Sequence, residues 1–197
     1  MNGGLAPKAD GGDELHPPAV RLPAVAVFGS SEPRPGDDAY ELARRAGELL
    51  ARSGWAVLNG GYGGVMEAAS RGAREAGGHA LGVTVASFSG RSEPNPWLST
   101  VIHEQDLFTR TRALVDGASG YLVLPGKAGT LAELTFLWAL QRARLLGDRP
   151  TVLCGQAWPA LLQALTGAGI LDPDILCATW HAPHVDDAVG LLLEKLT

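Results

Sequence analysis

Pro125-Gly126-Lys127-Ala128-Gly129-Thr130 gathers glycines, a lysine and a threonine directly after a short apolar run, Tyr121 to Leu124. Glycine lets an anion come close to backbone amides, and a helix that begins at once adds unpaired N–H groups and a positive dipole end. Thr130 brings a hydroxyl suited to a phosphate oxygen or to capping that helix, and Lys127 brings a point charge. The block reads as a phosphate cradle built from Pro125, Gly126, Lys127, Gly129 and Thr130. Glu133 is expected on the first turn of the following helix, facing the cradle. A carboxylate there either complements the helix dipole or has a chemical task beside the anion. Arg110 and Arg112 open an upstream helix, where an arginine pairs with Glu133, binds phosphate or is simply solvated.

Two further turns share this character. Gly29-Ser30-Ser31 follows the first apolar run, and Gly60-Gly61-Tyr62-Gly63-Gly64 follows the second. Taken singly, each is as readily a tight strand-to-helix turn as a ligand loop. Together on one edge of a sheet they favour phosphate or nucleotide binding, with Gly29, Ser30, Gly61, Gly63 and Gly64 as the contributing residues. No Gly-Lys-Ser/Thr ending makes a Walker loop, and the first strand lacks the Gly-x-Gly-x-x-Gly dinucleotide fingerprint. ATPase and nicotinamide dehydrogenase readings lose ground accordingly.

The elements that must hold these turns alternate along the chain. Ala24 to Phe28 reads as a strand buried on both faces, and Asp37 to Arg52 as a helix with Ala39, Leu42, Ala43, Ala46, Leu49 and Leu50 at helical spacing. Trp55 to Leu58 is the next strand, and the glycine-rich turn opens a helix to about Ala76. Ala80 to Val85 is a strand, Ala86 to Ser99 a loop, Thr100 to His103 a short strand and Asp106 to Asp116 a helix. Tyr121 to Leu124, Thr130 to Leu146, Thr151 to Leu153 and Trp158 to Leu165 continue as strand, helix, strand and helix. Asp174 to Ala178 is expected as a weak strand and Val185 to Leu196 as a closing helix. Connections too long for hairpins call for a parallel sheet. The expected fold is α/β: a single doubly wound Rossmann-like domain with a mostly parallel central sheet flanked by helices. Ligands then bind beyond the carboxyl ends of the strands, where strand order reverses.

The 197 residues suit one domain, expected over 23–197 behind a flexible leader at 1–22 rich in Gly, Pro, Asp and Glu. With 46% hydrophobic and 19% charged residues the chain can build a core and remain soluble. A formal net charge of −5 disfavours nucleic acid or an anionic membrane as the main partner. No run reaches the roughly 18 apolar residues of a membrane span. Cys154 and Cys177, without Cys-x-x-Cys spacing, are expected as buried thiols of a cytoplasmic protein, and the histidines offer no metal-ligand spacing.

In combination, Phe28-Gly29-Ser30-Ser31, Gly60 to Glu67, and Arg110 with the downstream Pro-Gly-x-x-Gly-Thr-x-x-Glu block resemble the LOG ("Lonely Guy") family, Rossmann-like proteins often labelled lysine decarboxylases. The resemblance covers Val25 to about Leu165. It implies hydrolysis of the N-glycosidic bond of a nucleoside 5′-monophosphate, a cytokinin ribotide or an AMP-like substrate, to free base and ribose 5-phosphate. Arg110 and Glu133 fall on the family's catalytic pair, and Gly126, Gly129 and Thr130 on its phosphate-binding residues. The resemblance further implies a homodimer and no cofactor. Two positions depart from the pattern: Lys127 stands where the second glycine of Pro-Gly-Gly-x-Gly-Thr is usual, and Thr111 where a lysine often follows the arginine. A non-catalytic nucleotide or molybdenum-cofactor carrier is the alternative, since Tyr62 to Glu67 looks closer to that branch. Lysine decarboxylation would need a lysine for pyridoxal phosphate, and near the expected site only Lys127 is available.

Overall fold

A computed structural model describes residues 22–85 and 93–197. The expected leader at 1–22 lies, except for Leu22, outside the described residues, as does the first half of the loop expected at 86–99. The elements are β1 (Ala24–Phe28), α1 (Asp38–Arg52), β2 (Ala56–Asn59), α2 (Val65–Glu75), β3 (Ala80–Val85), β4 (Thr100–Glu104) and α3 (Leu107–Asp116), followed by β5 (Gly120–Val123), α4 (Ala128–Arg142), β6 (Thr151–Cys154), α5 (Trp158–Gly167), a 3₁₀ turn (Pro173–Ala178), β7 (Thr179–Ala182) and α6 (Val185–Leu196).

The strands form one seven-stranded sheet in the order β4-β3-β2-β1-β5-β6-β7. All six pairings are parallel. Strand alternation assigns side chains to two cores. Ala24, Ala26, Phe28, Tyr121 and Val123 face the layer of α3, α4 and α5, where they meet Leu114, Leu134, Leu137, Trp138 and Trp158. Val25, Val27 and Leu122 face the layer of α1, α2 and α6, meeting Tyr40, Leu50, Val65, Val189 and Leu192. Strands covered on both faces are largely apolar throughout, which is why β1 and β5 are continuous apolar runs and β6 is one after Thr151.

The chain winds outward from β1 through β2 and β3 to β4, then returns to lay β5 on the other side of β1. The order reverses between β1 and β5, so the crevice of this fold opens beyond Phe28 and Val123. Gly29-Ser30-Ser31 and the Pro125–Thr130 block are the two turns that flank it.

Three expectations are corrected. Asp174–Ala178 is not a strand: Pro173, with φ fixed and no N–H to donate, sits in the first turn of a 3₁₀ segment, and the edge strand is the following Thr-Trp-His-Ala. That turn buries Ile175 and leaves Cys177 exposed, so only Cys154 is a buried thiol. α4 also begins two residues before Thr130, which moves Glu133 from the first to the second helical turn. Among the described residues no helix is long and apolar enough to cross a membrane.

Candidate active site at the β1–β5 crevice

Ser30 joins the three glycine-rich turns into one wall. Its amide donates to the carbonyl of Pro125 (3.2 Å), and its carbonyl accepts from the amide of Val65, the first residue of α2 (2.9 Å). Gly64, at φ +70°, supplies the left-handed step before α2, and a Cβ there would strike the backbone of Ser30 and Ser31. The Pro125 carbonyl is thus committed to structure, and its ring packs beside Gly155.

Behind this wall, buried Asn59 holds the second turn. Its side-chain oxygen accepts from the Gly61 amide (2.8 Å), while its NH₂ group donates to Ser70 Oγ (2.9 Å) and the Met66 carbonyl (3.1 Å). Asn95 completes the brace, donating from its backbone to the Gly61 carbonyl (2.8 Å) and from its side chain to the Tyr62 carbonyl (3.1 Å). Gly61, Gly63, Gly64, Pro125 and Gly126 are not among the residues that line the cleft. Gly126 has a packing reason, since a Cβ there would collide with the Thr130 hydroxyl.

The cleft itself has a volume of about 370 Å³ and is lined by Gly29, Ser30, Arg110, Lys127, Gly129, Thr130 and Glu133 from the expected set. Val27, Phe28, Ser31, Glu32, Gly60, Tyr62 and Met66 complete it. Its size falls in the range of ligand pockets, roughly 300–1,000 Å³. At the cradle, Lys127 is the residue before α4, and the Leu131 amide makes the first helical bond to the Lys127 carbonyl (3.0 Å). The amides of Ala128, Gly129 and Thr130 precede that bond, so they have no partner inside the helix. Lys127 takes φ −106°, an extended conformation open to any L-residue. The lysine in place of the usual glycine therefore introduces no backbone strain.

Arg110 enters from the opposite side. Asp106 caps α3 by accepting from the amides of Phe108 and Thr109 (2.7 and 2.8 Å), with Thr109 Oγ1 reciprocating toward the Asp106 amide. This fixes the helix start one turn before Arg110. The Arg110 Nε donates to the Val83 carbonyl (2.9 Å), and the guanidinium lies 5.9 Å from the centre of the Tyr62 ring. Gly60 makes room for it: a Cβ at Gly60 would overlap Arg110 Nη2 and press on Met66 Sδ. Arg112 points away, paired with Asp116 at 3.3 Å and two-thirds exposed.

Arg110 Nη1 and Glu133 Oε1 are 4.0 Å apart, with side chains only 11% and 16% exposed. Burial raises the Glu133 carboxyl from 4.5 to about 7, against the lowering effect of Arg110. Burial likewise pulls Arg110 below its ordinary value, opposed by the charges of Glu133 and Tyr62. A carboxyl poised near neutrality beside a buried cation suits proton transfer or stabilisation of a positive transition state. The resemblance to the LOG family had already set these two residues together, and the structure brings them into one cleft. Sequence reasoning missed Gly60, Tyr62 and Met66, although all three lie within the quoted glycine-rich motif, and Glu32, only two positions beyond Ser30.

Residues 22–148 match the SLOG cluster4 family. A cytokinin riboside 5′-monophosphate phosphoribohydrolase of Mycobacterium tuberculosis is 30% identical over 176 residues, covering 84% of this chain and 90% of that protein. An uncharacterized protein of Archaeoglobus fulgidus is 39% identical over 115 residues, covering 58% of this chain and 73% of its own length. In three dimensions, the molybdenum cofactor binding protein of Rippkaea orientalis superposes with a TM-score of 0.71 at 22% identity, covering 90% of this chain and 99% of that one. This likeness establishes the fold. The family match and the mycobacterial relative agree with the motifs: the chain belongs to the SLOG cluster4 family and is a relative of the LOG phosphoribohydrolases.

Proposed function

We propose that the chain hydrolyses the N-glycosidic bond of a nucleoside 5′-monophosphate, releasing free base and ribose 5-phosphate. The observation that carries this reading is the buried Arg110–Glu133 pair, with its carboxyl near 7, in the same cleft as the amide cradle of α4. The name of the mycobacterial relative supports the same reaction.

The 5′-phosphate binds at the amides of Ala128, Gly129 and Thr130, with the Thr130 and Ser30 hydroxyls beside it. Holding the phosphate there fixes the ribose against the far side of the cleft and removes much of the orientational freedom of the reaction. Cleavage of the C1′–N bond develops positive charge on the ribose ring, as in other glycosidic hydrolyses. Ionised Glu133 stabilises that charge and accepts a proton from the attacking water, whose oxygen forms the new bond to C1′. The base departs with the bonding electron pair and takes a proton from solvent, and Glu133 releases the proton it took from the water, so one water is consumed and Glu133 is ionised again. Arg110, anchored through Nε on Val83, keeps the Glu133 carboxylate oriented toward the ribose. Tyr62 and Phe28 provide apolar walls on which the base packs.

We further infer that the protein acts as a homodimer. The two helices that carry Arg110 and Glu133 each leave apolar side chains in solvent, Leu107 and Phe108 on α3 and Leu131 and Phe136 on α4.

The test is chromatography of reactions with AMP, GMP, CMP, UMP and isopentenyl-adenosine monophosphate. Free base with ribose 5-phosphate supports the assignment, and nucleoside with inorganic phosphate contradicts it. Ligand-induced thermal stabilisation without any base release would make the chain a carrier.

A further inference from the structure

Glu32 and Lys127 meet across the mouth of the crevice. Lys127 Nζ lies 2.7 Å from Glu32 Oε1 and 2.6 Å from Oε2, joining the segment after β1 to the turn after β5. Both residues line the cleft. Local bonds fix where each chain segment stands: the Glu32 amide donates to Ser30 Oγ (3.2 Å), and the Ser30 amide donates to the Pro125 carbonyl (3.2 Å). Lys127 is also the residue immediately before the amides of α4, so its ammonium swings from the same point at which the cradle begins.

We propose that Glu32 and Lys127 form a charge latch over the phosphate end of the cleft, in which Glu32 holds the lysine until a dianionic phosphate ester takes it over. This rests on the phosphate reading of the cradle given above. The pair sets selectivity for phosphorylated over unphosphorylated ligands, and Lys127 serves as a further phosphate-binding element beside the α4 amides and the Thr130 and Ser30 hydroxyls.

The physical case is one of exchange. Side chains that are 71% and 63% exposed form a water-screened ion pair that holds its partners weakly. A phosphate dianion at a helix N-terminus is a stronger partner for an ammonium than one solvated carboxylate. While the latch is closed, Glu32 cancels the field of Lys127 over the cradle. When it opens, the lysine gains the phosphate and Glu32 turns to water. A ligand without phosphate offers nothing for which Lys127 would leave Glu32.

The test uses ribose 5-phosphate and ribose as probes, titrated calorimetrically at low salt into wild type, Glu32→Gln, Lys127→Met and the double variant. Glu32→Gln frees the lysine and tightens ribose 5-phosphate by about fivefold, and Lys127→Met weakens it by about as much. Ribose binding stays the same in all four proteins. In the Lys127→Met background, Glu32→Gln has little effect, because no lysine remains to be freed. Equal tightening by Glu32→Gln in both backgrounds would overturn the latch and leave Glu32 as a simple repelling charge. No tightening in either would overturn it as well. If wild type fails to bind ribose 5-phosphate at all, the phosphate reading of the cradle falls together with the latch.

Discussion

Arg110 Nη1 stands 4.0 Å from Glu133 Oε1, at the outer limit of ion-pair contact, although both side chains are nearly buried. The separation explains why the arginine fails to hold the carboxyl in its ordinary range. Desolvation acts at full strength on a group enclosed by the cleft, while an attraction over that distance restores only part of the loss. The carboxyl stays near 7 and can change its charge at working pH.

The pH dependence of turnover follows from this. Glu133 acts ionised, so kcat/KM rises about tenfold per pH unit below its pKa and levels off above about 7. Arg110 favours the ionised form, so Arg110→Gln moves the rising limb to higher pH as well as lowering the plateau. A pH–rate profile that instead falls through neutrality would make Glu133 a general acid.

The same shift carries a stability consequence. Folded Glu133 titrates near 7 and the unfolded group near 4.5, so between those values the folded state binds more protons than the unfolded one. Stability falls as pH rises through that window, and the penalty is complete above it. Glu133→Gln, neutral at every pH, is expected to be more stable than wild type at pH 8 by on the order of 1–3 kcal/mol. The difference vanishes below about pH 4.5. Urea melts of the two proteins at both pH values measure it.

Gly60 separates positioning from stability. A methyl group there collides with Arg110 Nη2 and Met66 Sδ, the far ends of two long side chains, which can shift without moving the backbone. Displacing the guanidinium by about 1 Å is expected to cost up to about 100-fold in kcat/KM. Gly60→Ala therefore keeps a melting temperature close to that of wild type while losing most activity. Unchanged kcat/KM in this variant would show that the position of Arg110 does not govern the reaction.

The fold was legible because its signals are local and repeated. β1, β3 and α6 occupy the residues that their apolar patterns mark, and the three glycine-rich turns lie at strand ends on one edge of the sheet. The Arg110–Glu133 pair was legible through its match to a family motif. Gly60 was not, because its role depends on an arginine fifty positions away passing over its α-carbon. Nothing local in the sequence marks such an approach. The commitment of the Gly61 backbone has the same origin, since Asn59 takes its amide and Asn95 its carbonyl only in the folded chain. The 3₁₀ turn at Pro173–Ala178 went astray where a short apolar run carried both strand and turn signals.

Assembly provides a separate check. Phe108 is 88% exposed on the helix that bears Arg110. Phe108→Glu places a charge in any interface that covers α3 and is expected to give a monomer in sedimentation velocity where wild type sediments as a dimer. A wild-type monomer at micromolar concentration would contradict the dimer.

Single-turnover base release from AMP, with AMP binding measured in parallel for wild type and Glu133→Gln, tests the central claim most directly. The account predicts that wild type releases adenine and ribose 5-phosphate. Glu133→Gln is expected to bind AMP within a few-fold of wild type but release base at least about 1,000-fold more slowly, in keeping with loss of a general base together with its stabilising charge. Equal release by both proteins would remove Glu133 from the chemistry. Tight binding with no release by wild type would show that this cleft holds a nucleotide without cleaving it.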